Sequence, residues 1–314
     1  MNLNQKAIEY YERNAYGKAM DLFHEALNQY RDVQALNNLA WMYLYEEEDV
    51  DQAFELIQEA VALNPASRFP YNIFGEIHIK RENWKEAKEA LEKSISIQPS
   101  SEARINLAAV YYQLGEMEPA AKYYLQSSED PDISEEDADL SMYCYIKCLI
   151  DLGKFQDAKE ALDCFFRNKK SESSIGEIEI ADLYIEINNY NGAIYWFEKG
   201  CNDSLSSPYW ISRFAYALYK MNRLSRLDEV IKEAIATTNK RIEEVLQEET
   251  DEYWTENDRK ELIETCREEI DYYGQLKEKL VSGYIPKFLF AAYFTGGCYL
   301  FGCKQHGHPE YKKI

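Results

Sequence analysis

The sequence has little of what an all-β fold or a nucleic-acid-binding protein needs. Only 13 glycines and 8 prolines occur in 314 residues, too few for the many turns of an all-β fold. Lysine and arginine total 35 against 56 aspartates and glutamates, which gives a formal net charge of −21. Because phosphate binding needs clustered basic residues, this composition disfavours nucleic acid as a ligand and suits a basic partner or simple solubility.

The sequence also lacks a segment that suits a membrane or a secretory signal. The longest run without a charged residue, 288–303, is shorter than the roughly 18–20 residues of a membrane-spanning helix and contains three glycines. The first ten residues have neither a basic nor an apolar signal region. Seven scattered cysteines, an odd number, do not form a disulfide scaffold. We therefore expect a cytoplasmic protein of a reducing compartment, without a membrane partner.

No catalytic signature is found. The strings GxSxG, GxxxxGK(S/T), GxGxxG and HExxH are absent. Carboxylates are so abundant that pairing two of them as acid and base carries no information. We therefore expect a protein that is not an enzyme.

What the sequence does contain is an internal repeat. A position followed by core residues four and seven positions later recurs seven times, at steps of 34, 34, 33, 38, 35 and 34 residues; it holds a small residue in the first six units and leucine in the seventh. These anchors are Ala19, Ala53, Ala87, Ala120, Ala158, Ala193 and Leu227. Small residues let two antiparallel helices approach closely, and a single pair cannot bury its apolar face, so such units stack.

The unit resembles the tetratricopeptide repeat, a helix-turn-helix of 34 residues. The fullest match is in the third unit, at Tyr71, Gly75, Trp84, Ala87, Leu91 and Pro99. The resemblance implies an all-α fold, a right-handed α-solenoid over residues 1–235, with units near 1–32, 33–66, 67–100, 101–133, 138–171, 173–206 and 207–236. We predict that an acidic helical extension, 236–281, and an aromatic tail, 282–314, follow. Because such arrays need a cap, we expect the tail to cover repeats six and seven.

The resemblance also implies a concave surface that holds a peptide, lined by the first helix of each unit. Asn4, Asn38 and Asn72 take the same position in three units, and their amides can pair with a peptide backbone; the alternative is that each bonds only local turns or water. Tyrosines on this surface suit an interface, although packing between repeats is the other interpretation. The predicted partner-binding residues are Asn4, Asn38, Met42, Tyr45, Asn72, Glu76, Tyr112, Tyr143, Lys147, Tyr216 and Tyr219.

Our main functional prediction is therefore a non-catalytic scaffold that holds a segment of another protein. The acidic extension suggests a second surface, at Glu243, Glu244, Glu248 and Glu249, for a basic partner, although such runs are commonly solvated faces. The charge also motivates an alternative function, an acidic immunity or inhibitor protein that neutralises a basic toxin or nuclease.

The tail brings a third alternative, because it holds Cys298, Cys303, His306 and His308. Four thiolate and imidazole ligands suit tetrahedral zinc, but the spacing matches no recognised zinc finger. On a helix His306 and His308 would diverge, whereas a loop at Gly302 and Gly307 would let them converge. Zinc binding or a thiol-dependent activity in the tail stays open, and no other cofactor is expected.

Overall fold

The computed structural model describes residues 2–167, 174–200 and 207–311, and these ranges contain fifteen α-helices and no strand. The helices are α1 (Leu3–Tyr11), α2 (Tyr16–Gln29), α3 (Val33–Tyr45), α4 (Val50–Ala62), α5 (Phe69–Lys80), α6 (Trp84–Ile97), α7 (Ser101–Gln113), α8 (Met117–Ser128), α9 (Glu135–Asp151), α10 (Phe155–Arg167), α11 (Glu177–Glu186), α12 (Tyr190–Gly200), α13 (Pro208–Lys220), α14 (Leu224–Gln247) and α15 (Glu256–Val281). In chain order α1 to α14 correspond to the seven predicted two-helix repeats. The predicted all-α solenoid is confirmed.

The anchors of the repeat, six alanines and one leucine, lie where the sequence places them, in the second helix of each repeat. All seven, Ala19, Ala53, Ala87, Ala120, Ala158, Ala193 and Leu227, have no exposed surface. In the third pair the close approach can be measured, because a methyl group built on Gly75 would lie 2.8 Å from Cγ of Leu91. Small residues therefore set the distance between paired helices.

The turn inside each pair uses the same backbone device. One residue per turn has a positive φ, at Asn14, Glu48, Glu82, Gly115, Gly153, Asn188 and Asn222. The steps between these positions repeat those of the anchors. Five of the seven are not glycine, although the left-handed conformation favours glycine. The turns can therefore recur with so few glycines in the chain.

The chain forms two compact units. The first contains the described residues of Met1–Leu152 and Ala292–Ile314, and the second those of Gly153–Ala291. The division falls between α9 and α10, so the predicted array 1–235 is shared by both units. Within the first unit, consecutive helices from α1 to α9 pack on one another, and α5 also contacts α3 and α7.

In the second unit the predicted acidic extension is a helical hairpin. Helix α14 begins in the seventh pair and continues to Gln247, so the predicted boundary at 235 lies inside one helix. Helix α15 packs on both α13 and α14, with Cys266, Tyr273 and Leu276 buried. The helix α15 therefore covers the apolar face of the last pair.

The tail lies elsewhere than expected. Residues 284–289 do contact α13 and α15, as in the 3.1 Å hydrogen bond from the Leu289 N–H to the Tyr209 hydroxyl. Residues 292–311, however, lie on the first unit. The prediction that the tail caps repeats six and seven is wrong for these residues, because α15 already covers the seventh pair. In the described part of the chain, no helix combines the length and the apolar character that crossing a bilayer requires.

Two glycine-to-alanine substitutions test the packing of the third pair. Alanine normally stabilises a helix relative to glycine by about 1 kcal/mol. Gly75→Ala should instead destabilise the protein by about 1–2 kcal/mol, because the new methyl group would press on fully buried Leu91. Gly274→Ala in α15 is the control, since its methyl group would meet open space, and it should be neutral or stabilising. Urea unfolding followed by circular dichroism measures both; a shift of both variants in one direction would contradict the close approach.

Candidate functional site: the groove of the first unit

Residues 292–311 run through the first unit without helix or strand, apart from turns. We call them the docked segment, and we call the surface that receives them, formed mainly by the first helices of the first five pairs, the groove. The segment crosses the repeats in reverse chain order, from α9 to α1. The contacts in sequence are Tyr293 with Asp137, Thr295 with Asn106, Phe301 with Asn38, and Lys304 with Glu12.

Two asparagines clamp the main chain of the segment. Asn106 Oδ1 accepts from the Thr295 N–H at 2.8 Å, and its Nδ2 donates to the Thr295 carbonyl, also at 2.8 Å. Asn38 Oδ1 likewise accepts from the Phe301 N–H at 2.8 Å, and its Nδ2 donates to the Phe301 carbonyl at 3.0 Å. Each amide satisfies both main-chain groups of one residue, as a neighbouring strand would in a sheet.

The main-chain groups that face the groove follow a period of two. Besides Thr295 and Phe301, the carbonyls of Tyr293, Gly297 and Tyr299 accept hydrogen bonds from the groove. Their donors are the Tyr124 hydroxyl at 3.3 Å, Trp41 Nε1 at 2.9 Å and Asn37 Nδ2 at 2.7 Å. Every second residue of an extended chain turns its N–H and C=O to the same side. The segment is therefore bound as a single strand whose partner edge consists of side chains.

This period explains which asparagines of the predicted row contact the segment. Asn4 Nδ2 donates to the Phe301 carbonyl at 3.2 Å, and Asn4 Oδ1 accepts from Asn38 at 2.8 Å. Asn72 is buried but accepts from the Ser94 hydroxyl, and its Nδ2 has no partner within the described residues. Asn72 lies one repeat from both Asn38 and Asn106, so it faces the middle of the stretch between Phe301 and Thr295, at Cys298. Cys298 is three residues from each of these two, so its main-chain groups point away from the groove.

Asn106 was missed in the sequence although a signal was present. It lies 34 residues after Asn72, the same step that separates Asn4, Asn38 and Asn72. The row therefore has four members, of which Asn4, Asn38 and Asn106 contact the docked segment. The neighbouring Asn37 and Trp41 were not predicted as binding residues, because the same positions of the adjacent repeats hold residues of other types.

Apolar burial adds to these hydrogen bonds. Tyr299, Leu300, Phe301 and Cys303 are at most 2% exposed and belong to one core cluster with helices α1 to α5. Phe69 lies at the centre of this contact, with its ring centroid 5.0 Å from that of Phe301. Each fully buried large apolar side chain contributes about 1.5–3 kcal/mol. The predicted site residue Met42 is part of this core.

The docked segment contacts a buried carboxylate of the groove, that of Glu76, which also bonds Tyr45. The hydroxyls of Tyr45 and Tyr299 both donate to Glu76, the latter at 2.8 Å, and Asn106 Nδ2 approaches it at 3.4 Å. Burial disfavours the charged form and raises the pKa of Glu76 from 4.5 to about 7, although the two hydroxyls act in the opposite direction. The docked segment thus covers an acid that titrates near neutral pH.

The other predicted partner-binding residues lie away from these clamps. Lys147 and the Tyr112 hydroxyl both bond Asp151, at 2.5 Å and 2.9 Å, and Tyr143 is half-buried on α9. Tyr216 and Tyr219 belong to α13 in the second unit. That any of the predicted residues contacts a separate partner stays a prediction.

The predicted acidic surface and metal cluster have different outcomes. Glu243, Glu244, Glu248 and Glu249 are all exposed, and Glu244 pairs with Lys240 at 3.3 Å. A basic partner for this surface stays a prediction.

Of the four predicted metal ligands, the Sγ atoms of Cys298 and Cys303 and a ring nitrogen of His306 converge within 4.8 Å of one another. His308 lies outside this group of converging atoms; its Nδ1 lies 3.1 Å from the Leu300 carbonyl oxygen and its ring packs on Phe69.

Substitution of the Asn38 clamp tests the main-chain contact. Asn38→Ala leaves the buried N–H and C=O of Phe301 without their main partner, which should destabilise docking by about 2–4 kcal/mol. The rate of proteolytic cleavage within 292–311 should rise at least about thirty-fold, since 1.4 kcal/mol is a factor of ten. Asn72→Ala is the control, because Asn72 is equally buried and bonds Ser94. Equal cleavage rates in the two variants would contradict the clamp.

The buried carboxylate predicts a pH dependence. The folded protein keeps Glu76 protonated up to about pH 7, whereas the unfolded chain ionises it near 4.5, so the folded state holds the extra proton between these values. The free energy of unfolding should therefore fall as pH rises through this window, by at most about 3 kcal/mol from this group. Urea unfolding from pH 5 to 8 should show a smaller fall in Glu76→Gln, which cannot ionise. Parallel curves for the two proteins would contradict this role.

Comparison with known proteins adds to the repeat geometry. Residues 74–132 match the family model described as tetratricopeptide repeat. No curated protein sequence matches the chain significantly.

Three solved structures illustrate the similarity. The C-terminal part of a TPR repeat-containing protein from Cytophaga hutchinsonii has a TM-score of 0.56 at 17% identity, over 74% of this chain and 94% of that one. Cut9-Hcn1, an APC/C hetero-tetramer, has a TM-score of 0.50 at 18% identity, over 69% of this chain and 42% of that one. YrrB, a TPR protein with an unusual peptide-binding site, has a TM-score of 0.48 at 18% identity, over 57% of this chain and 91% of that one. The family match therefore identifies tetratricopeptide repeats within residues 74–132, and the two structures with TM-scores of 0.56 and 0.50 share the fold of stacked helix pairs; no specific member is assigned.

Proposed function

We propose that the chain is a non-catalytic protein-interaction scaffold whose groove holds an extended polypeptide by its main chain. The observation that supports this is the pair of clamps at Asn38 and Asn106, which each bond the N–H and the C=O of one residue. Within the segment these two amides bond only main-chain groups, so the clamps themselves do not depend on the side chains of Thr295 and Phe301. Such a groove suits recognition of an unfolded or extended segment of a protein partner.

In this structure the occupant is the docked segment, and its side chains indicate what an external occupant needs. A methyl group on Gly296 would lie 2.9 Å from the Tyr45 hydroxyl, so this position favours glycine unless the Tyr45 side chain shifts. Three consecutive apolar residues, 299–301, then fill the core. The partner segment is therefore an extended one in which glycine precedes a short aromatic and aliphatic run.

The docked segment would act as a built-in competitor of such a partner. A tethered segment has an effective concentration in the millimolar range when its linker is short and flexible. An external segment that makes the same contacts must therefore exceed that concentration, or the docked segment must first be released. Binding would be weak in the intact protein and strong after release.

The acidic-surface alternative differs from this proposal in its dependence on salt. Glu243, Glu244, Glu248 and Glu249 are exposed and would attract a basic protein through long-range charge. Salt would weaken that attraction strongly. Clamping by asparagine amides involves no net charge on either side, so salt should change it little.

Cleavage of the tether tests the proposal on the full chain. A specific protease site inserted after exposed Gly283 allows the folded protein to be cut, after which a fluorescent peptide of residues 292–314 is added. We expect the peptide to exchange into the cut protein and to bind the intact protein at least about a hundred-fold more weakly, because the tethered segment competes. Asn38→Ala should weaken binding to the cut protein, whereas Asn72→Ala is the matched control.

Two outcomes would contradict the proposal. The first is that the peptide does not exchange into the cut protein while circular dichroism shows its helices intact. The second is that the binding is lost at raised salt concentration and is insensitive to Asn38→Ala, which would favour the acidic surface instead.

A further inference from the structure

Three metal-ligating side chains of the docked segment meet at one point. The Sγ atoms of Cys298 and Cys303 and a ring nitrogen of His306 all lie within 4.8 Å of one another, and Cys303 Sγ lies 3.2 Å from His306 Nδ1. Around tetrahedral zinc, with bonds of about 2.3 Å to sulfur and 2.0–2.1 Å to nitrogen, neighbouring ligand atoms are about 3.5–3.8 Å apart. The three side chains therefore need to move by about an ångström or less to bind one ion.

The loop that carries Cys303 and His306 is fixed by its own backbone. Gly302 and Gly307 have φ values of +85° and +65°, which let the chain turn sharply at both ends. The Gly302 N–H donates to the Pro309 carbonyl at 3.1 Å, and the His308 N–H donates to the Cys303 carbonyl at 2.8 Å. Cys298 and Cys303 nevertheless lie close together although they are five positions apart, a spacing that would not place them side by side on a helix.

The surroundings also hold the loop on the first helix pair. The Lys304 N–H donates to the Glu12 carboxylate at 2.9 Å, just after α1. Cys303 is fully buried in the core cluster, Cys298 is half-buried and His306 is exposed. Because exposure rises from Cys303 through Cys298 to His306, the fourth coordination position of a bound ion would face the solvent, where a water molecule completes the tetrahedron.

We propose that Cys298, Cys303 and His306 bind one zinc ion, with water as the fourth ligand, and that the ion fastens the end of the docked segment to the first helix pair. This differs from the four-ligand set predicted from the sequence, because His308 is not among the side chains whose ligand atoms converge there. Both thiols lose their protons on binding, so binding releases protons to the solvent. The proposal does not depend on an external partner for the groove.

Metal analysis of the full chain, purified under reducing conditions without chelator, tests this assignment. We expect about one zinc per chain, and replacement by cobalt should give the visible absorption bands of a tetrahedral ion with thiolate ligands. His306→Gln should reduce the metal to a small fraction of the wild-type content, and it should fold normally because His306 is exposed. Cys298→Ser should have the same effect.

Two matched controls separate ligands from neighbours. Cys164→Ser removes an exposed thiol outside the cluster, and His308→Gln removes the nearby histidine; both should retain the metal. Loss of the metal in His308→Gln, as complete as in His306→Gln, would overturn the three-ligand assignment. Wild-type protein that takes up no stoichiometric zinc or cobalt under reducing conditions would overturn the site itself, as would full retention in Cys298→Ser and His306→Gln.

Discussion

The first unit depends on how the main chain of residues 293–301 obtains its hydrogen bonds. These residues form neither helix nor strand, yet they enter the core, where an unpaired N–H or C=O costs about 1–3 kcal/mol. Asn38 and Asn106 each satisfy two such groups, and Trp41, Asn37 and Tyr124 satisfy further carbonyls. Without these side chains the burial of Tyr299, Leu300 and Phe301 would leave polar backbone groups without partners.

The spacing of the clamps follows from the dimensions of helices and extended chains. Asn38 and Asn106 are two repeats apart, and the residues they hold, Phe301 and Thr295, are six apart. Six extended residues span about 20 Å. Two repeats therefore advance about 10 Å each, close to the 8–10 Å between packed helices. Because Thr295 and Phe301 are an even number of residues apart, both turn their main-chain groups toward the groove. Asn72 lies halfway between the two clamps, opposite Cys298, which is three residues from each clamped residue and turns its main-chain groups away. Asn72 bonds Ser94 instead.

Much of the fold could be predicted, because the same pattern of core positions recurs seven times in the sequence. All seven anchors are buried, and the turn residues follow the same steps. The row of asparagines was recognised in part, and Asn106 extends it at the same step. The occupant of the groove could not be predicted, because no local pattern tells which surface an aromatic tail will cover. That choice depends on α15, which covers the seventh pair, and on the match between an extended chain and the repeat spacing. Likewise, sequence spacing could not exclude His308 from the metal cluster, since its partner, Phe69, is distant in the chain.

Amide hydrogen exchange of the intact protein tests the central claim most directly. If the groove holds the main chain of the docked segment, the N–H groups of Thr295 and Phe301, which donate to Asn106 and Asn38, should exchange as slowly as those in the middle of α3 and α7. Exchange of these two N–H groups at the rate of an unstructured peptide, while α3 and α7 stay protected, would contradict the account.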